Sequence, residues 1–144
     1  MMFSVIYFIF GIIIGSFLNV VIYRIPISLS IVSPRSHCPK CKKDIPFYFN
    51  IPILSYILLS GHCKYCKNKI SIQYPIVEAL SGIIFIYAFN NFNIPEALFF
   101  CAISSVLICI AMIDFNHYII SLILSLILLF LIIPYVVISS NYIY

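Results

Sequence analysis

Two Cys-x-x-Cys pairs lie in the one strongly charged stretch of a chain that is otherwise apolar. The pairs are Cys38/Cys41 and Cys63/Cys66, and the 8 Lys and Arg residues all fall between positions 24 and 69. The chain is 64% hydrophobic and 8% charged, whereas soluble domains carry roughly 25% charged residues. A fold of 144 residues cannot bury that much apolar surface in its own interior, so lipid must solvate most of it. The sequence therefore predicts a small basic metal-binding loop joined to a bundle of membrane helices.

Apolar runs separated by polar residues or proline predict the membrane-spanning helices. A span needs about 20 apolar residues, and four runs approach that length: 3–23, 74–90, 96–113 and 119–138. The first run has no positive residue before it and leads into Arg24, so we expect a retained helix rather than a cleaved signal peptide. No internal repeat is apparent.

Two polar breaks and one proline set the expected ends of these helices. Residues 90–95 predict a turn between the second and third spans, and residues 114–117 predict a break between the third and fourth. Pro134 is expected to kink the last span or to end it early.

The predicted fold class is an all-α polytopic membrane protein with about four transmembrane helices and a cytoplasmic four-cysteine zinc-binding loop. Residues 1–23 form the first transmembrane helix, 24–73 the basic loop, and 74–144 the remaining helices. Lys and Arg favour the cytoplasmic side of short loops, so we expect the basic loop in the cytoplasm and Asp114 at the same membrane face. A basic segment could bind nucleic acid, but beside a membrane it is more simply an orientation signal and a contact for anionic lipid. We therefore expect membrane lipid, and no nucleic acid, as a partner.

The two cysteine pairs predict a structural zinc site. Two close pairs brought together give four thiolates in a tetrahedron, which is the arrangement that zinc prefers, and neighbouring lysines offset its negative charge. A cytoplasmic location argues against disulfides, while a redox pair and an iron–sulfur centre stay open as alternatives. With Cys38, Cys41, Cys63 and Cys66 all bound to the metal, no coordination position is left for catalysis.

The segment between the cysteine pairs and the two remaining cysteines have simpler interpretations. Residues 45–59 are apolar but broken by Pro46 and Pro52, so we expect them at the membrane interface or folded back under the cysteine pairs. Cys101 and Cys109 lack partners at metal spacing, and we interpret them as small apolar residues within a helix.

Small and polar residues recur every four positions in the first span. Gly11, Gly15 and Asn19 share one helix face, where small residues let two helices approach closely and an Asn can bond across the contact. The preferred interpretation is a packing seam, and the alternative is a direct supporting role for Asn19 in chemistry.

Many positions together form a recognisable pattern. They are, in chain order, Gly11-x-x-x-Gly15-Ser16-Phe17-Leu18-Asn19-Val20, Arg24-x-Pro26, Ser36-x-Cys38-Pro39-x-Cys41, Asn50-Ile51-Pro52-x-x-Ser55-Tyr56, Gly61-x-Cys63-x-x-Cys66, Ile70-Ser71-x-x-Tyr74-Pro75-x-Val77-Glu78 and Gly82. The pattern resembles the amino-terminal part of bacterial type IV prepilin peptidases, strongly over residues 11–82 and partially over 110–120. The resemblance implies an inner-membrane aspartic endopeptidase that cuts the basic leader of prepilins and type II secretion pseudopilins, its substrates. It also implies methylation of the new amino terminus with S-adenosylmethionine.

The resemblance further implies that Asp114 is the first of two catalytic aspartates. An aspartic protease needs two carboxylates, one acting as base and the other as acid. An ionisable residue at a membrane boundary is also costly enough to indicate a function. The alternative is that Asp114 caps the amino end of the fourth span.

The second aspartate of the pattern is missing. No Asp follows Asp114 and no Gly follows Gly82, so a Gly-x-Gly-Asp motif does not occur, and Ile120-Ser121-Leu122 stands where the family has Leu/Ile-Pro-Asp. One carboxylate alone should make a poor protease, so whether this chain is an enzyme stays open. Truncation is the preferred explanation, and the alternatives are a separate chain that supplies the carboxy-terminal half or a non-proteolytic relative.

Glu78 is the one acidic residue expected at the depth of Asp114, which makes it a candidate second carboxylate. Pairing with Arg24, or capping of the second span, is the preferred interpretation, and we regard Glu78, Asn19 and Arg24 as supporting residues. The competing function is a non-enzymatic zinc-bearing membrane scaffold that binds pilin-assembly partners.

Overall fold

The computed structural model describes residues 2–33, 35–46, 49 and 51–140. Within these ranges the regular secondary structure is helical, apart from two isolated β-bridges. Asn50 and the last residues of the predicted 74–144 region lie outside the described residues. The five helices are α1 (Met2–Arg24), α2 (Leu54–Leu58), α3 (Gln73–Asn91), α4 (Ile94–His117) and α5 (Leu122–Ser140). The predicted all-α class is confirmed.

Four of these helices coincide with the four apolar runs, while α2 lies within the basic loop. Among the described helices, two are long and apolar enough to cross a membrane, Phe3–Arg24 and Ile94–His117, and α5 contributes the shorter apolar stretch Leu122–Ile138. Helix α3 has 19 residues and carries the buried acidic residue Glu78. That α3 and α5 also span the membrane stays a prediction.

The turn from α4 to α5 differs from its prediction. Helix α4 continues through His117 and ends where Tyr118 adopts the left-handed conformation, with φ 55°, and donates its N–H to the Asp114 carbonyl at 2.8 Å. The expected break at residues 114–117 is therefore wrong, because these polar side chains sit in the last helical turn. The capping alternative for Asp114 is also wrong, since α5 begins only at Leu122.

Two further helix ends were misplaced by sequence. Helix α5 continues through Pro134, so of the two alternatives for this proline the early end is wrong, and the kink stays a prediction. A proline inside an apolar helix in lipid is tolerated where the freed backbone groups find other partners. The predicted 90–95 turn shrinks to the two residues between Asn91 and Ile94, because Pro95 already occupies the first turn of α4, where its missing N–H costs nothing.

Helices α1 and α3 touch along a glycine seam formed by Gly11, Gly15, Ser81 and Gly82. A Cβ added at Gly11 would lie 2.6 Å from the Gly82 Cα, and one added at Gly15 would lie 2.7 Å from the Glu78 Cα. Only a hydrogen atom fits in place of a side chain at these glycines, so the backbones of α1 and α3 are in direct contact. The packing seam predicted from the spacing of Gly11 and Gly15 is confirmed.

Two buried clusters hold the bundle together at its two ends. Near the basic loop, α1, α3, α4 and α5 contribute Leu18, Val21, Ile22, Val77, Ile108, Cys109, Ile113 and Leu124. At the far end, Ala88, Ala97 and Cys101 pack against Phe85, Phe89, Phe92 and Phe100. Cys101 and Cys109 are 3% and 2% exposed, so they serve as small apolar residues in the core, as predicted.

Candidate metal centre and polar residues at the loop end

Each Cys-x-x-Cys pair closes a tight backbone turn. The N–H of the residue after the second cysteine donates to the carbonyl of the first, at 2.8 Å from Lys42 to Cys38 and at 3.0 Å from Lys67 to Cys63. Lys42 and Lys67 both have φ 55°, in the left-handed region. The two turns are therefore two copies of one knuckle.

The similarity between the two knuckles extends beyond the cysteines, and the sequence analysis did not identify this short repeat. Both follow the pattern His-Cys-x-x-Cys-Lys, and isolated bridges pair His37 with Asp44 and His62 with Lys69 at the same relative positions. The Nδ1 atom of each histidine lies beside the carbonyl two residues upstream, at 3.0 Å for His37 and 2.6 Å for His62. The shared His and Lys were the signal that could have revealed it. We call residues 37–44 and 62–69 the metal module.

The two knuckles bring four thiols together in a compact cluster. The Sγ atoms of Cys38 and Cys66 are 3.8 Å apart, those of Cys41 and Cys63 are 4.0 Å apart, and all four lie within 4.8 Å of one another. Four sulfurs bound to zinc at about 2.3 Å would be separated by about 3.8 Å along the edges of a tetrahedron. The cluster therefore has the size of a four-thiolate metal site, and it could hold a metal ion.

Backbone N–H groups favour the charged form of Cys63, whereas the neighbouring thiols disfavour the charged form of Cys41. The N–H groups of Cys66 and Tyr65 hold the pKa of Cys63 at about 6, below its usual 9.0. The Lys43 N–H acts to lower the pKa of Cys41, yet desolvation and the neighbouring thiols raise it to about 11. A cation among the sulfurs would favour the charged form of these thiols, which fits a metal-binding role.

Two lysines of the metal module lie over aromatic rings. The Lys43 Nζ is 5.0 Å from the centre of the Tyr65 ring in the other knuckle, and the Lys64 Nζ is 4.5 Å from the centre of the Phe49 ring. These cation–π contacts tie the knuckles to each other and to the intervening segment, and they keep positive charge near the sulfurs.

Helix α2 ends in a tight turn just before the second knuckle. Gly61 has φ +68°, and a Cβ there would lie 3.0 Å from the ring of Tyr56. The Gly61 N–H also donates to the Tyr56 carbonyl at 2.8 Å. Whether residues 45–59 lie at the membrane interface or fold back under the cysteine pairs stays a prediction.

Glu78 holds the start of α2 against α3. Its Oε2 accepts the backbone N–H of Ile53 at 2.7 Å, and the Ser16 side chain on α1 interacts with the same carboxylate. Ile53 has φ 60° and ψ −51°, and the Leu54 N–H donates to the Pro52 carbonyl across it. This is a γ-turn of the rare, strained kind. The recorded partner of the Glu78 carboxylate is thus the backbone of Ile53, and the expected ion pair with Arg24 stays a prediction.

Arg24 and Asn19 fix the two ends of the basic loop. The guanidinium of Arg24, 5% exposed at the end of α1, donates to the carbonyls of Ser30 at 2.8 Å and Arg35 at 3.5 Å. The side-chain amide of Asn19 donates to the Tyr74 carbonyl in the first turn of α3 at 3.0 Å. The recorded hydrogen bonds of both side chains go to backbone carbonyls, as expected for residues that anchor a loop.

Asp114 lies exposed in the last turn of α4, directly after the buried Ile113. Two residues further on, Asn116 bonds Gln73, the first residue of α3. Asp114 therefore lies at the end of the bundle that carries the basic loop and the metal module, as predicted. Between Asp114 and Glu78 the interactions of the described residues include no direct bond.

The fold and site define a helical membrane protein with a four-cysteine metal module at one end of its bundle. A family model described as the bacterial peptidase A24 N-terminal domain matches residues 9–92. The chain belongs to this family, as the resemblance in its sequence indicated.

Relatives with printed functions are similar over much of this chain. It is 42% identical over 122 residues to the prepilin leader peptidase/N-methyltransferase of Myxococcus xanthus, covering 84% of this chain and 36% of the relative. It is 41% identical over 128 residues to the type 4 prepilin-like proteins leader peptide-processing enzyme of Escherichia coli, covering 74% and 47%. It is 41% identical over 110 residues to the prepilin leader peptidase/N-methyltransferase of Bacillus subtilis, covering 76% and 44%. The chain thus spans between 36% and 47% of these curated relatives. No solved structure matches it significantly.

Proposed function

We propose that this chain supplies the amino-terminal part of a prepilin leader peptidase, with prepilins or pseudopilins as its substrates. The single observation that carries the proposal is that Asn116, two residues after Asp114, bonds Gln73 at the start of α3, where the loop that carries the metal module ends. A carboxylate at that boundary can reach a peptide bond just outside the lipid. The printed names of relatives such as the Myxococcus xanthus protein support the substrate class.

Asp114 is proposed as the first of two catalytic carboxylates. One carboxylate would accept a proton from water while the other donates to the scissile carbonyl. Glu78 is poorly suited as the second, since it is buried and already binds the Ile53 N–H. The second carboxylate is therefore proposed to come from a Gly-x-Gly-Asp motif, which this chain lacks.

The four-cysteine site is proposed to hold structural zinc. Sulfur separations near 3.8 Å suit zinc, and with Cys38, Cys41, Cys63 and Cys66 all bound the metal keeps no open position. Zinc would supply folding energy to a loop that is too small and polar to form a core. S-adenosylmethionine would serve any methylation, and we assign no residues to bind it.

The proposed location is the bacterial inner membrane, with residues 1–23 as the first span, 24–73 as a cytoplasmic loop and 74–144 as further spans. The 8 Lys and Arg residues between positions 24 and 69 support this orientation. The leader peptide is itself basic, so Asp114, Glu78 and lipid charge would have to attract it rather than the loop.

The experiment is cleavage of a co-expressed prepilin in membranes, by this chain alone and together with a supplied carboxy-terminal half carrying Gly-x-Gly-Asp. Cleavage only with both halves is expected. Cleavage by this chain alone would contradict the proposed source of the second carboxylate and direct attention to Glu78.

A second candidate is a non-enzymatic zinc-bearing scaffold that binds pilin-assembly partners. The observation in its favour is that the Glu78 carboxylate, near the loop end of α3, is occupied by the backbone N–H of Ile53. Absence of cleavage in both arms, with prepilin still co-purifying, would favour this candidate.

A further inference from the structure

Helix α2 presents its apolar side chains outward. Leu54, Ile57 and Leu58 are 56%, 64% and 77% exposed, whereas Ser55 is buried, and its hydroxyl has no hydrogen-bond partner in the part of the chain that the structure describes. A helix on a water-exposed loop would show the reverse pattern, with the serine outside and the leucines inside. The exposed face of α2 therefore calls for an apolar neighbour.

The bond from Ile53 to Glu78 sets the depth of α2. Glu78 is the sixth residue of α3, which begins at Gln73, so its Cα lies about 7 Å along the helix from the first residue. Because the Ile53 N–H reaches this carboxylate at 2.7 Å, α2 starts beside the second turn of α3 rather than above the bundle. If α3 enters the bilayer near its first turn, that depth is the boundary between headgroups and acyl chains.

The metal module, whose two knuckles flank α2 in the chain, carries the complementary charge. Its six lysines are exposed: Lys40, Lys42, Lys43, Lys64, Lys67 and Lys69. A short helix with exposed apolar side chains between two cationic knuckles has the composition of a segment that lies in the interface of an anionic membrane.

We infer that α2 is an interfacial anchor, with Leu54, Ile57 and Leu58 inserted among the lipid acyl chains and the metal module resting on anionic headgroups. The occupant of the exposed face is lipid, continuous with the lipid around α1 and α4. The inference goes beyond the proposed peptidase function, because it concerns how the loop is held and requires no cleavage.

The absence of tryptophan from this chain makes the inference directly measurable. A single Leu58→Trp variant is reconstituted in vesicles of equal phosphatidylcholine and phosphatidylglycerol whose chains carry bromine near the headgroup or near the chain end. Tyr65→Trp in the second knuckle is the matched control, and Phe130→Trp, on the exposed face of α5 at 78%, verifies insertion. Each variant must keep the parent's metal-to-protein ratio.

Shallow bromine should quench Leu58→Trp at least about twofold more than Tyr65→Trp, and more than deep bromine does. Equal quenching of Leu58→Trp and Tyr65→Trp would overturn the inference. Protection of Leu58→Trp from a water-soluble quencher without quenching by bromine would also overturn it, because a protein would then cover α2. Ile57→Trp repeats the measurement if Leu58→Trp fails to fold. The quenching measurements do not depend on protease activity, so a result that overturned the interfacial anchor would leave the proposed peptidase function untouched.

Discussion

The side-chain amide of Asn116 donates a hydrogen bond to the side-chain oxygen of Gln73 at 3.0 Å. This bond joins the last turn of α4 to the first residue of α3, where the basic loop ends. It places Asp114 beside the exit of the loop rather than at an isolated helix end. The relationship gives Asp114 a defined setting in which its role can be tested.

Replacement of Asp114 by Asn should abolish cleavage of a prepilin when the carboxy-terminal half is supplied. The loss should be at least about a thousandfold, because removal of a residue that acts in the chemical step removes the mechanism. Metal content should stay unchanged, since Asp114 is remote from the cysteines in sequence and is not among the clustered ligands. Cleavage is measured on co-expressed prepilin, with Glu96→Gln at the opposite end of the bundle as the control. Retained cleavage in Asp114→Asn would contradict its proposed role.

Replacement of Cys38 by Ser should lower the metal-to-protein ratio and the abundance of the protein together. Cys38 is 5% exposed and its sulfur lies 3.8 Å from that of Cys66, so a hydroxyl there removes one ligand of a closed site. Metal affinity should fall more than about 100-fold, beyond the loss seen for residues that only orient ligands. The measurement is metal analysis of purified protein, and Cys101→Ser is the control because it lies outside the cluster. Normal abundance without metal would argue against a structural site.

Replacement of Gly15 by Leu should separate α1 from α3 and destabilise the bundle. A single Cβ at Gly15 would already lie 2.7 Å from the Glu78 Cα, and forced overpacking of this kind typically costs about 1–3 kcal/mol. Unfolding in denaturing detergent measures the change. Phe17→Leu, two residues away and 50% exposed toward lipid, should have little effect. Equal stability of the two variants would show that the glycine seam does not hold the helices together.

Replacement of Glu78 by Ala should free the start of α2, while Glu78→Gln keeps an oxygen that can accept the Ile53 N–H. Loss of a hydrogen bond to a charged group costs about 1.5–3 kcal/mol, so amide exchange in the 51–60 segment should accelerate roughly tenfold or more. Hydrogen–deuterium exchange measures this, with Glu96→Ala as the control. If Glu78→Gln retained slow exchange but lost all cleavage, Glu78 would be the second catalytic carboxylate as well as a tether.

Sequence was sufficient for features that depend on long apolar runs or repeated spacing. The four long helices follow from hydrophobic runs that lipid can solvate, and the glycine seam follows from the spacing of Gly11 and Gly15. The cysteine cluster follows from two pairs whose reach suits one ion. In each case the residue pattern directly indicates which contact forms.

Features that depend on the backbone conformation of a single residue could not be predicted. Nothing in the residues around Ile53 signals a positive φ for a β-branched residue, so neither the γ-turn nor its bond to Glu78 could be foreseen. The end of α4 was misplaced because Asp114 and Asn116 read as a polar break, whereas helix geometry continues until Tyr118 turns left-handed. The expected ion pair of Glu78 with Arg24 rests on opposite charge alone, whereas the recorded hydrogen bonds of both side chains go to the backbone of the loop.

When both cysteine pairs bind one metal, the segment between them, which contains α2, becomes a closed ring. The ring runs through residues 42–62, and the bond from Ile53 to Glu78 divides it into two arcs. The entropy lost on closing a chain segment grows only with the logarithm of its length, so each arc is ordered at modest cost once its ends are fixed. Opening the ring at the metal would release both arcs together, whereas breaking the bond to Glu78 would merge them while the ring stays closed. Loss of metal should therefore melt the loop as one cooperative unit, and loss of Glu78 should only loosen it.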